Sequence, residues 1–249
     1  MQNQSRVDVL GVGFDAVTPD AAVSRSVAIL ESRGGAVRYV VTPNPEIVES
    51  CRRDTVARDA VENAALVLPD GIGVIYAAKI LGRPLKTRVT GIDYAAALLE
   101  ICAERGYGLY LLGAKSGIAE VAADKLRATY DGLRIVGTHD GYFSDDAAVI
   151  AAINAAEPHM LFVCLGAPRQ ETWIARNAEK LDARLAVCLG GALDVWAGIA
   201  RRAPVRWQKL GLEWLYRLLR EPRRIGRMIK LPLFLVRAVG ARIRGGGHG

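Results

Sequence analysis

Short apolar runs alternate along this chain with longer stretches in which apolar positions recur every third or fourth residue. The runs at 37–41, 66–68, 107–112, 133–137, 159–165 and 185–189 are continuous and end in glycine, proline or small polar residues. Runs of that kind read as strands buried on both faces, and the intervening period as helix. Thr18-Pro19-Asp20 starts one such helix, with Thr18 as cap and Pro19 at its first position. Ser144-Asp145-Asp146 starts another. Residues 7–17 read as two short strands about a glycine-containing turn. Strand and helix alternating in this way predict an α/β fold, a doubly wound, mostly parallel, Rossmann-like sheet over residues 1–200. The pattern changes at 201–249, where a basic, amphipathic helical appendage is predicted. It holds one helical stretch over 207–219, a break at Pro222, and a second over 225–243.

In such sheets ligands bind outside the carboxyl ends of the strands, so the residues just past each run matter most. Leu66-Val67-Leu68-Pro69 delivers Asp70 to that edge, followed by Gly71 and Gly73. Asp70 is either a site carboxylate or the N-cap of the next helix. Thr42-Pro43-Asn44-Pro45-Glu46 is a stiff strand-to-helix corner, because each proline restricts itself and its predecessor. It brings Thr42 and Asn44 to the same edge, with a turn role for Thr42 and a capping role for Asn44 as the alternatives. Arg88 is a fixed cation just before a helix that Thr90 or Asp93 can cap. Leu112-Gly113-Ala114 opens a helix whose N-terminus suits a phosphate. The Tyr142-Phe143 pair can stack a base or simply pack locally. Gly11-Val12-Gly13 is a poor dinucleotide fingerprint because no third glycine opens a helix, and the GxxxxGK[ST] of a P-loop is absent.

Charge sharpens the division at residue 200. The net charge is +7, but residues 201–249 hold 13 Lys and Arg against 2 Glu, while the rest is mildly acidic. A basic tail of that kind meets phosphates, on nucleic acid or on an anionic membrane. The segment 231–236 is too short to span a bilayer and is flanked by basic residues. The expectation is a helix lying on a membrane surface through Leu231, Leu233, Phe234 and Leu235, the alternative being a docked helix with a solvated basic face. The four cysteines are scattered without a CxxC pair, which predicts a reducing compartment, and Cys164 and Cys188, inside apolar runs, read as core residues. The N-terminus has no apolar signal region, which predicts a cytoplasmic protein held peripherally on the inner membrane face.

Several of these corners together resemble the bacterial glycosyltransferases that include N-acetylmannosaminyl and N-acetylmannosaminuronic acid transferases of surface-polysaccharide assembly. The matching pieces are Thr42 through Glu46, Pro69-Asp70-Gly71, Arg88 through Asp93, Leu112-Gly113-Ala114, Gly166 through Glu171, Gly191 through Gly198, and Arg201 through Arg224. They run in order through nearly the whole chain. The resemblance implies transfer of N-acetylmannosamine, its uronic acid or a related hexose from a UDP-sugar to a polyprenyl-diphosphate-linked saccharide, with inversion. It implies Asp70 as base and Thr42, Arg88 and Gln170 lining the same pocket, with Arg217, Arg224 and Arg227 completing it over the diphosphate. It also implies that no metal or other cofactor is needed, and the sequence lacks an Asp-x-Asp.

That chemistry suits the residues. An inverting displacement needs one base for the acceptor hydroxyl, and arginines can stabilise the departing diphosphate where no divalent ion does. A nucleotide-dependent oxidoreductase would fit the sheet but not the missing fingerprint. A non-catalytic membrane- or nucleic-acid-binding module would fit the tail but not the polar residues at four strand ends. The expected partners are therefore the UDP-sugar, the lipid-linked acceptor and an anionic membrane, not nucleic acid. Self-association is left open.

Overall fold

The computed structural model describes residues 6–32, 34–220 and 230–245. Six parallel strands form one sheet in the order β4-β3-β8-β7-β5-β6. They are β3 (Arg38–Val41), β4 (Leu66–Val67), β5 (Gly108–Gly113), β6 (Arg134–His139), β7 (Met160–Cys164) and β8 (Leu185–Cys188). Each corresponds to one of the apolar runs. A separate antiparallel hairpin, β1 (Val7–Val9) and β2 (Val12–Phe14), turns at Leu10 and Gly11, both at positive φ. Two left-handed residues in a row match the right-handed twist of a two-residue hairpin.

Alternate side chains of the strands enter two separate cores. Val41, Val67, Leu112 and Val163 face one core, and Val40, Leu66, Leu111 and Phe162 face the other. The first is covered by α2 (Pro45–Cys51), α3 (Thr55–Glu62), α4 (Ile72–Ile80), α7 (Asp146–Ala155) and α8 (Arg169–Asn177). The second is covered by α1 (Pro19–Glu31), α5 (Gly91–Arg105), α6 (Ile118–Thr129) and α9 (Ala192–Trp196). Helices on both faces make the sheet doubly wound, as the pattern predicts. All four cysteines are buried. Burial pushes the thiols of Cys51, Cys102 and Cys164 up to about 12, and that of Cys188 up as well, which suits core residues.

The edge strand β4 is short, and the chain segment after β2 secures it. Asp15 donates its N–H to the carbonyl of Val67 at 2.9 Å, and its Oδ2 accepts the Val67 N–H at 2.9 Å. The buried Asp15 carboxylate is flanked by Arg6 at 3.3 Å and Arg25 at 3.2 Å. The open side of the sheet is thus closed by backbone and side chain together.

In the tail, the single helical stretch expected over 207–219 is two helices, α10 (Val205–Lys209) and α11 (Glu213–Arg220). Gly211, at φ +70°, turns the chain between them, and a Cβ there would stand 3.0 Å from Ile72 Cγ1 at the start of α4. The last described helix, α12 (Lys230–Gly245), packs on α4 and α2. Phe234 and Ala238 are fully buried in the first core, and Arg237 pairs with the buried Glu49 of α2. The expected membrane face is corrected accordingly. Phe234 points into the protein, Leu231 lines a cavity and Leu235 packs against the core, while Leu233, Val236, Val239 and Ile243 form the outward row. An apolar pattern wider than one stripe fixes a helix but not which stripe docks.

Phe234→Ala should therefore cost about 3–5 kcal/mol of stability in the intact chain, as for a fully buried aromatic. Val236→Ala on the opposite face should stay within about 0.5 kcal/mol. Denaturant unfolding monitored by circular dichroism reads both; equal small effects would mean that α12 does not dock through Phe234.

Candidate active site

The carboxyl ends of β3, β4, β5, β7 and β8 open into one cavity of about 780 Å³. Its walls include Thr42, Asn44, Asp70, Arg88, Lys115, Arg169, Gln170 and Asp194, with Arg201, Glu213, Trp214 and Leu231 from the tail. Five of the sequence-predicted residues (Thr42, Asn44, Asp70, Arg88 and Gln170) are thus brought together. Arg217 lies within α11, and Arg224 and Arg227 lie outside the described residues.

At the β3 corner, Thr42 is buried and its hydroxyl donates to the Cys188 carbonyl at 3.1 Å, linking the ends of two neighbouring strands. The hydroxyl oxygen keeps its lone pairs for a further donor. Asn44 does cap: its Oδ1 accepts from the N–H groups of Glu46 at 2.9 Å and Ile47 at 3.1 Å, with Pro45 as the first residue of α2. Only its amide NH₂ remains for a ligand in the cavity.

At the β4 corner, the capping alternative for Asp70 does not hold. The N-cap of α4 is Gly71, and no side chain bonds there. The Asp70 side chain is partly exposed at the cavity wall. The two glycines after it answer to close packing. A Cβ on Gly71 would lie 2.7 Å from Pro45 Cδ, and one on Gly73 would meet Leu231 and lie 2.8 Å from Pro45 Cγ. The β3 corner, the start of α4 and α12 can converge only because neither position carries a side chain.

Arg88 reaches into this corner. Its Nε donates to the Asp70 backbone carbonyl at 2.5 Å, and its Nη2 lies 3.9 Å from Asp70 Oδ1 and 3.0 Å from Glu213 Oε2. The loop that carries Arg88 ends at Thr90, which caps α5 by accepting the Asp93 N–H. Asp93 in turn takes both terminal nitrogens of Arg202, at 2.5 and 2.7 Å. That bidentate hydrogen bond holds the Asp93 carboxyl below the usual carboxylate range.

The β7 corner is built on Gly166 at φ +79° and a cis Ala167–Pro168 peptide. Gln170 is buried with both ends of its amide engaged. Its Nε2 donates to Glu171 Oε1 at 2.8 Å, and its Oε1 accepts the Gly190 N–H at 2.9 Å. It thus ties the β7 and β8 corners together, a structural role that the motif alone did not disclose. Glu171 is fully buried, and that desolvation pushes its carboxyl above the usual range. Arg169 sits over the Phe143 ring at 5.0 Å and donates to the Gly141 carbonyl, so Phe143 packs locally while Tyr142 stays exposed at the cavity rim.

Sequence reading missed Asp194 and Glu213. Asp194 follows β8 through Gly190-Gly191 much as Asp70 follows β4, and that placement was the available signal. Glu213 gave none, because its place in the site depends on Arg88, 125 residues away in the chain. Asp145 caps α7 and Asp146 accepts from Trp173 Nε1, so this acidic pair serves the fold. Among the described residues, no three His, Cys, Asp or Glu side chains are grouped as metal ligands.

Comparison with known proteins finds relatives that span nearly the whole chain. Two N-acetylglucosaminyldiphosphoundecaprenol N-acetyl-beta-D-mannosaminyltransferases, from Staphylococcus aureus strains MRSA252 and MW2, are each 32% identical over 241 residues. The match spans 96% of this chain and 94% of each relative. Residues 7–247 also match a family as a whole, and the chain belongs to that family, the glycosyl transferase WecG/TagA/CpsF family.

Proposed function

We propose that this protein transfers N-acetylmannosamine, or a closely related sugar, from a UDP-sugar to a polyprenyl-diphosphate-linked saccharide, inverting the anomeric carbon. The observation that carries this reading is the convergence of Asp70 and Arg88 in one cavity, within a family whose similar members are named for transfer to a lipid-diphosphate sugar. The acceptor hydroxyl attacks the anomeric carbon as the bond to the UDP oxygen breaks. Its proton passes to Asp70, and the bonding electron pair leaves with UDP. A positioned base is worth ~10²–10⁴-fold in such a step. Arg88, Lys115, Arg169 and Arg201 line the cavity and supply positive charge for the leaving diphosphate. Arg217, Arg224 and Arg227 are proposed to add to that charge from the tail. Tyr142 at the rim offers a stacking face for the uracil.

The acceptor is lipid-linked, so the enzyme has to work at a membrane. No helix among the described residues is long and apolar enough to cross one. The outward row Leu233, Val236, Val239 and Ile243 of α12, with the exposed Arg244, is the proposed docking face on the anionic cytoplasmic leaflet. Such a cation adds about 1 kcal/mol of attraction to that surface.

Three measurements test the reading. Asp70→Asn should fold normally yet lose on the order of 10²-fold or more in turnover; near-normal turnover would remove Asp70 as base. Transfer should survive exhaustive chelation, because arginines supply the cationic role; loss with EDTA and recovery with magnesium or manganese would contradict this. Leu233→Asp with Val236→Asp should release the protein from anionic vesicles while leaving transfer to a short, soluble acceptor largely intact. Undiminished vesicle binding would move the docking face elsewhere.

A further inference from the structure

Arg88 faces two carboxylates at unequal distances, Glu213 at 3.0 Å and Asp70 at 3.9 Å. Glu213 opens α11 and is buried although it is charged. Its other oxygen stands 3.8 Å from Nε of Arg202, a buried N–H that has no hydrogen-bond partner among the described residues. Arg202 is anchored on Asp93, five residues past Arg88. Charges therefore alternate through Asp70, Arg88, Glu213, Arg202 and Asp93, from the end of β4 through the tail and back to the start of α5.

The inequality of the two distances is informative. At 3.9 Å Arg88 is too far to hydrogen-bond the Asp70 carboxylate, though near enough to act on charge. A guanidinium lacking its nearer anion would close on the next one, forming a strong charge-assisted bond. That bond would occupy the carboxylate that the acceptor hydroxyl has to reach. We propose that Glu213 is a positioning residue that holds Arg88 off the Asp70 side chain and makes this arrangement depend on the seating of α11. Seating the tail is then a condition for a competent base. The inference rests on the transferase reading, and its test has an arm that does not.

The experiment compares Glu213→Gln, Arg88→Gln and the double variant in the full chain. In transfer assays Glu213→Gln should lower kcat by on the order of 10–10²-fold, the scale of a mispositioned catalytic group, with little change in donor KM. The double variant should be no slower than Arg88→Gln, because the effect of Glu213 passes through Arg88. Without any ligand, amide hydrogen exchange over residues 211–220 should quicken to the same extent in both single variants and no further in the double. Additive losses of kcat, unchanged exchange in the single variants, or a gain in transfer by Glu213→Gln would each overturn the proposal. The last would mean that Glu213 competes for Arg88 rather than placing it. Wild-type protein inactive with every UDP-sugar would refute the transferase reading, leaving the exchange arm to decide the role of Glu213.

Discussion

A parallel sheet covered by helices on both faces leaves polar side chains one place to gather, its carboxyl edge. The part of the cavity built by the sheet follows from that constraint. The strands supply apolar side chains to two cores, and each releases its chain at the same edge through a corner of glycine or proline. Thr42 and Gln170 tie adjacent corners together by hydrogen bonds across strands β3, β8 and β7. The outermost corner, which delivers Asp70, hangs on a strand of two residues. Its alignment relies on Asp15, which pairs with both polar groups of Val67 from beyond the sheet. A chemical group on so short an edge strand needs such an external hold, and the paired arginines around Asp15 provide it.

The tail is the second part of the site rather than an addition to it. Glu213, Trp214 and Leu231 stand in the cavity wall, and α12 is keyed into the core by Phe234 and Ala238. Arg237 and Glu49 form a largely buried pair beside that key. Such a pair adds little net stability over an apolar substitute, but an uncompensated charge would remain if either partner were removed. It fixes where the helix sits more than how tightly. The close approach of Leu231 to Gly73 has the same character, since it brings the tail within reach of the helix that follows Asp70.

Much of the fold was legible because local signals and tertiary structure agree. All six apolar runs are strands, Thr18 and Asp145 cap as their positions imply, and the corner after β4 carries its carboxylate to the cavity. Legibility failed where a distant partner decides. Gln170 lines the cavity as its position implies, but only the fold shows its amide oxygen holding the Gly190 N–H, 20 residues on, across the β7 and β8 corners. The turn at Gly211 interrupts a helical period that is intact in sequence, because that turn packs on Ile72. The tail's apolar residues mark a helix, but only contact with α2 and α4 shows that Phe234 faces inward and Val236 outward.

The central claim is a single displacement in which one carboxylate takes a proton and never bonds the sugar. The product's stereochemistry reports on it directly. A disaccharide made on a short diphosphate-linked acceptor from an α-linked UDP-sugar can be assigned from the one-bond carbon–hydrogen coupling at its new anomeric carbon. The account predicts a β-linkage, whereas an α-linkage, the mark of retention through a second displacement, would contradict it.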